Sequence, residues 1–104
     1  MNDVMTLRAL ASRVETEEPS EELRAAILAA IGSEAEPDTA PNPLRSVDDA
    51  LSITGDRRMS FAEQDGAGRW HAVLGRYSGF GASLAAAVTA AALRAIARAR
   101  EVGR

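Results

Sequence analysis

Arg57-Arg58-Met59-Ser60-Phe61-Ala62-Glu63-Gln64, then Asp65-Gly66-Ala67-Gly68, then Arg69-Trp70-His71-Ala72-Val73-Leu74-Gly75-Arg76-Tyr77 run consecutively through this 104-residue chain. In the first segment Met59 and Phe61 point one way and Arg58, Ser60 and Ala62 the other, the period of a strand with one buried face. The Asp-Gly-Ala-Gly segment has hairpin-turn chemistry, and Arg69 to Tyr77 reads as the returning strand. Trp70, Ala72 and Leu74 alternate there with His71, Val73 and Tyr77, so both faces carry apolar content. One face packs on helices; the other awaits a second helical layer, a subunit or a ligand.

Beyond the hairpin, Ser78-Gly79-Phe80-Gly81 reads as a tight link into a final helix running from Ala82 or Ser83 to about Glu101. Leu84, Val88, Ala92, Ile96 and Ala99 form its buried stripe, and Arg94, Arg98 and Arg100 lie toward its negative end, where cations are favoured. Before the hairpin, Val4, Leu7, Leu10, Ala11 and Val14 recur at helical spacing, predicting a helix over 3–16 capped by Asn2 or Asp3. Pro19 and Ser20 announce a second helix, with Glu21 and Glu22 at its positive end, a stripe of Leu23, Ala26, Ile27, Ala30 and Ile31, and Gly32 as terminator. Residues 33–45 hold three of the four prolines and no apolar period, so they read as a loop. Ser46-Val47-Asp48-Asp49-Ala50-Leu51 reads as a capped helical turn, with Asp49 placed to reach back to the cap amide. The expected fold class is α+β: one domain over 1–104, in which a short antiparallel sheet, a hairpin of two or three strands, packs with an N-terminal helical pair over 3–32 and a long C-terminal helix.

Composition narrows the chemistry. A chain this short buries roughly 60 to 70% of the surface it exposes when unfolded, enough for one core. There is no cysteine, hence no disulfide and no thiolate metal site, and His71 is the sole histidine, so no multi-histidine metal cage is expected. The longest uncharged apolar run, Ala82 to Leu93, is shorter than the roughly 20 residues a membrane span needs, and no secretory leader pattern opens the chain, so a cytoplasmic protein is expected. All twelve cationic side chains are arginine. Residues 1–56 hold 4 of them against 12 Asp and Glu, and residues 57–104 hold 8 against 3, so an acidic half of charge −8 precedes a basic half of +5. That basic half suits an anionic ligand, an acidic partner, or the chain's own N-terminal helices. The abundance of alanine and the use of arginine in place of lysine also fit a GC-rich coding genome.

The phrase Leu7-Arg8-Ala9-Leu10-Ala11-Ser12-Arg13-Val14-Glu15, the second helix ending at Gly32, the Ser46-to-Leu51 phrase, the Trp70 strand and the closing Ala90-Ala91-Ala92-Leu93-Arg94-Ala95 occur in an order that resembles the small phage proteins of the phage ABA (alpha-beta-alpha) sandwich domain family. Members of that family usually start the last helix with Thr-Pro, where this chain has Ser83-Leu84, and their middle section is longer. The resemblance implies a phage or prophage protein in a bacterial host and brings no assigned chemistry. By analogy with the small phage proteins that blunt host immunity, it implies a non-enzymatic accessory protein that counters host defence.

Two sets of residues suit a small anionic nucleotide. The amides of Gly79-Phe80-Gly81, ahead of a helix start with Ser83 at the cap and Arg76 nearby, suit a phosphate or carboxylate. Arg57, Arg58, Arg69 and Arg76 on the hairpin suit bidentate phosphate contacts, with Trp70 or Tyr77 to stack on a base. Together Arg57, Arg58, Arg69, Arg76, Tyr77, Gly79, Phe80, Gly81 and Ser83 make the expected ligand site. The same residues also read as a sharp turn with Phe80 filling the core and as solvated strand arginines. No GxGxxG or P-loop pattern is present. His71 has no recognisable nucleophile or orienting carboxylate beside it, so no catalysis and no cofactor is expected. Strong duplex nucleic-acid binding is not expected at a net charge of −3. The expected function is sequestration of a nucleotide signal by a homo-oligomer. The alternatives are inhibition of a host defence complex through a surface contact, for which the acidic run Glu15, Glu17, Glu18, Glu21, Glu22 is a candidate mimic of nucleic-acid charge, and a structural phage component without a ligand.

Overall fold

The structure, a computed structural model, describes residues 3–32, 42–52 and 59–102. The elements in chain order are α1 (Asp3–Thr16), α2 (Glu21–Ile31), α3 (Val47–Ser52), β1 (Met59–Gln64), β2 (Trp70–Leu74), β3 (Tyr77–Gly81) and α4 (Leu84–Val102). The α+β class holds, with three antiparallel strands in the order β1-β2-β3.

The helices form where their signals lie. In α1, Val4, Leu7, Leu10, Ala11 and Val14 are all buried, each Leu or Val contributing roughly 1.5–3 kcal/mol relative to exposure. α2 opens on Ser20, whose hydroxyl accepts from the Leu23 amide at 3.1 Å, and ends at Gly32 with φ +78°, the left-handed conformation that glycine adopts without a Cβ clash. Ser46 caps α3 by accepting from the Asp49 amide, and the Asp49 carboxylate accepts from the Asn42 amide at 2.8 Å. That bond ties the entry segment onto the helical turn. Ser83 caps α4 by accepting from the Ala86 amide at 3.1 Å.

The sheet departs from the expected hairpin in one respect. Ser78-Gly79-Phe80-Gly81 is not a link but the body of β3, and Arg69 to Tyr77 is not one strand but β2, a two-residue turn at Gly75-Arg76, and the start of β3. Gly75 has φ +64° at the first position of that turn, the feature of a type II′ hairpin. At the other end of β2, Asp65 closes the loop. Its backbone amide donates to the Arg69 carbonyl, and its carboxylate accepts from the Ala67 and Arg69 amides, while Gly68 takes φ +89°.

α4 is the centre of the molecule. Ala85 to Leu93 are buried without interruption, so this helix is covered all round. One side packs with α1, α2 and Leu44 through Ala86, Ala90, Leu93 and Ala97; another packs with Ala50, Ala72 and Leu74 through Ala87, Val88, Ala91 and Ala92. Small residues let backbones approach closely. At Gly79 a Cβ would lie 2.3 Å from the Ala87 carbonyl oxygen and 2.5 Å from the Ala91 nitrogen, and at Gly81 it would lie 2.7 Å from the Ala86 Cβ. Glycines at i and i+2 on β3 are therefore the slot that admits the alanine ridge of α4. Thr89, the one buried polar residue among the described residues, donates to the Pro43 carbonyl at 2.7 Å and holds the segment before α3 against α4.

α1 lies antiparallel to α4, and ion pairs mark both ends: Arg8 with Glu101 at 3.2 Å, Arg94 with Glu15 at 2.5 Å. Each joins the acidic half of the chain to the basic half. The Glu15–Arg94 pair thus directs part of the basic excess to the chain's own N-terminal helix, whereas Arg8–Glu101 joins the minority charges of the two halves. The Pro-rich loop expected over 33–45 falls mostly outside the described residues, which resume at Asn42, and the cap residue Asn2 lies outside them as well.

Candidate functional site

Gly79 and Gly81 face α4, so by the alternation of a strand Phe80 faces the opposite side of the sheet. It is neither a turn residue nor core: it is 42% exposed, and its ring stacks on that of His71, its cross-strand partner, with centroids 4.4 Å apart and planes 10° from parallel. Val73 shares this face on β2, and Phe61 and Glu63 pair with Val73 and His71 at register positions on β1. The buried β2 residues, Ala72 and Leu74, lie on the other face, packed with α4 and Ala50. Exposed Phe80 stacked on half-buried His71, on a sheet face that no described helix covers, is the most distinctive aromatic feature among the described residues.

Arg69 precedes β2 at the same end as this ring pair, since Trp70 pairs with Gly81 and His71 with Phe80. Its guanidinium donates to the Glu15 backbone carbonyl at 3.2 Å and remains exposed. Arg76, also exposed, sits in the β2–β3 turn at the opposite end of the strand, roughly 20 Å away at the rise of an extended chain. Tyr77 starts β3 beside Arg76. Arg57 and Arg58 lie outside the described residues. Ser83 is engaged as the α4 cap, and Gly79 and Gly81 are buried under α4. The structure thus brings Arg69 and Phe80 together and leaves Arg76, Tyr77 and Ser83 elsewhere.

One expected feature takes an unexpected form. The Phe80 amide does bind a carboxylate, but it is that of Glu15, at 2.9 Å. Arg94 grips the same carboxylate with both terminal nitrogens, at 2.5 and 2.7 Å, and donates to the Ser78 carbonyl at 2.9 Å. The Phe80 amide and the Ser78 carbonyl are the groups β3 turns away from β2. The ion pair therefore occupies one outward donor and one outward acceptor of this sheet edge and blunts it against a further strand. Burial acts to raise the Glu15 carboxyl, but the Arg94 hydrogen bonds, the Phe80 amide and the Arg94 charge outweigh it and hold the group below its ordinary value. Arg94 is raised correspondingly, chiefly by its hydrogen bond to Glu15.

Sequence reasoning missed His71 as the partner of Phe80 and Glu15 as the internal anion. The Gly75-Arg76 dipeptide between two alternating runs was the available signal for the first, because a two-residue turn there sets His71 across from Phe80. No local signal pairs Glu15 with Arg94, which are 79 residues apart.

Elsewhere, an open groove of about 400 Å³ is lined by Pro19, Leu44, Arg45, Val47, Ser83, Leu84 and Ala85 at the start of α4. Among the described residues no group of three or more His, Asp or Glu is placed to hold a metal ion, and no helix is long and apolar enough to cross a membrane. Comparison with protein-family models, curated proteins and solved structures finds no match, so the likeness to phage ABA sandwich proteins rests on the ordered phrases of the sequence.

Proposed function

We propose that this chain is a non-enzymatic binding protein that works through the Phe80–His71 platform, and that in a phage or prophage setting it counters host defence inside the bacterial cell by holding a small anionic nucleotide. The observation that carries this reading is the exposed Phe80 ring stacked near-parallel on half-buried His71, on a sheet face that no described helix covers. A base has a flat π-face, and stacking on an aromatic side chain contributes roughly 1–3 kcal/mol per base. Arg69, at the same end of the sheet, is the cation for the phosphates, with planar geometry suited to bidentate contact. Of the expected contact set Phe80 and Arg69 are kept, and His71, which was not in it, is added as the ring beneath Phe80.

A second reading, capture of a host defence protein through the same face, is favoured by the exposure of Phe80, an aromatic side chain of the kind enriched in protein contacts. The two separate in a thermal-shift and calorimetric titration with a panel of linear and cyclic nucleotides. A ligand bound only to the native state raises the melting temperature. Stabilisation that is lost in both Phe80→Ala and Arg69→Ala, with helical content unchanged, supports the nucleotide reading. The absence of any shift across the panel refutes it and leaves the protein-capture reading.

A further inference from the structure

The two edges of the sheet are treated differently. On β3 the outward Phe80 amide and Ser78 carbonyl are consumed by Glu15 and Arg94. On β1 no described element other than β2 makes an extended contact, and Ala62, Glu63 and Gln64 are exposed. The phase of the ladder tells which of its groups are free. The Asp65 amide donates to the Arg69 carbonyl at the hairpin, and bonding alternates residue by residue in an antiparallel pair. Glu63 and Phe61 therefore bond inward to His71 and Val73, while Ala62 and Gln64 turn their amides and carbonyls outward.

We propose that the β1 edge is a pairing surface for a second copy of this chain, joined antiparallel about a twofold axis at Ala62 to make one continuous six-stranded sheet. Self-pairing is what this edge fits best. With the axis at Ala62, the two Ala62 residues exchange both of their amide-to-carbonyl bonds, so every donor finds its acceptor in the same residue of the mate. In that register Glu63 stands across from Phe61 of the other copy and not from its own counterpart, so like charges are not opposed. Ala62 is small enough to leave the approach open. β1 contains neither proline nor lysine, the residues with which exposed edges are commonly blocked, and its irregularity between Met59 and Phe61 leaves Phe61 to Gln64, with Ala62 among them, in regular pairing. Pairing leaves the Phe80–His71 face of each copy open, so it stands independently of what that face binds.

The test is the mass of the full chain by light scattering after size exclusion, from low micromolar to near-millimolar concentration. The expected result is a rise from the 11.0 kDa of the single chain toward twice that value. Ala62→Pro removes an outward amide and no bond to β2, so this variant should keep its circular dichroism and stay at the single-chain mass. Gln64→Lys places a cation on the same edge and should weaken pairing by tenfold or more; it decides the matter if the proline variant fails to fold. A native protein that remains at 11.0 kDa throughout overturns the proposal. Equally fatal are edge variants that are folded and still pair, or pairing that is lost in Phe80→Ser but kept in Gln64→Lys, which would assign the contact to the sheet face.

Discussion

Replacing Gly79 by alanine probes the closest approach in the molecule. The added Cβ would sit 2.3 Å from the Ala87 oxygen, 2.5 Å from the Ala91 nitrogen and 2.9 Å from the Ala90 Cβ, where ordinary contact begins at 3.4 Å. Two of the three neighbours are main chain of a buried helix and cannot rotate aside, so β3 and α4 must separate by roughly 1 Å, a gap that forfeits a quarter to a half of each neighbouring dispersion contact. Overpacking typically costs about 1–3 kcal/mol, and the rigidity of these neighbours puts this case at about 3 or above. Alanine in a strand returns about 0.5–1 kcal/mol relative to glycine. The net is a loss of about 2 kcal/mol or more, which for a domain of this size lowers the melting temperature by about 10 °C or more. The assay is thermal denaturation followed by circular dichroism, with Gly66→Ala as control: nothing lies within 4 Å of a Cβ there, and the expected change is within about 0.5 kcal/mol. A Gly79→Ala variant that melts within a few degrees of the native protein would refute the placement of α4 on the glycine face.

Thr89→Val keeps the shape of the side chain but deprives the Pro43 carbonyl of its donor, so chemical denaturation should show a loss of about 1–3 kcal/mol. Gly75→Ala forces a Cβ into positive φ at the β2–β3 turn and should cost about 1 kcal/mol or more, read as a lower denaturation midpoint. Acidification should destabilise the fold in a window set by Glu15. Its carboxyl is lowered in the folded state, so its contribution is complete above the ordinary value of 4.5 and is lost as pH falls through the lower folded value. Glu15→Gln should therefore melt lower than the native protein at neutral pH and lose less on acidification. It should still lose some, because Glu17, lowered by its Arg13 hydrogen bond, and Glu101, lowered by those of Arg8 and Arg98, titrate in the same direction.

Local signals carried most of the helices. The apolar period of α1, the Ser20 and Gly32 ends of α2 and the Ser46 start of α3 are decided by neighbours within four residues, and each is where its residues predict. β3 was hidden for a physical reason. Tyr-Ser-Gly-Phe-Gly has the composition of a loop, because its glycines are selected by the backbone of α4 against them and not by strand preference. The platform was half legible: Phe80 stood out as an aromatic between glycines, but its side of the sheet depends on which side α4 occupies. The fate of the arginines was not legible. Arg94 meets Glu15 only because α1 and α4 run antiparallel, and the separation of Arg69 from Arg76 follows from the extra turn at Gly75.

The Glu15–Arg94 clasp also sets a limit on growth. A sheet that could add strands on both sides would polymerise without end, as cross-β fibres do. With one margin terminated by a side-chain pair, any strand addition on the other is spent after a single event. Loosening the clasp, by acid or by substitution at Glu15, would restore a second point of attachment and with it the possibility of filaments.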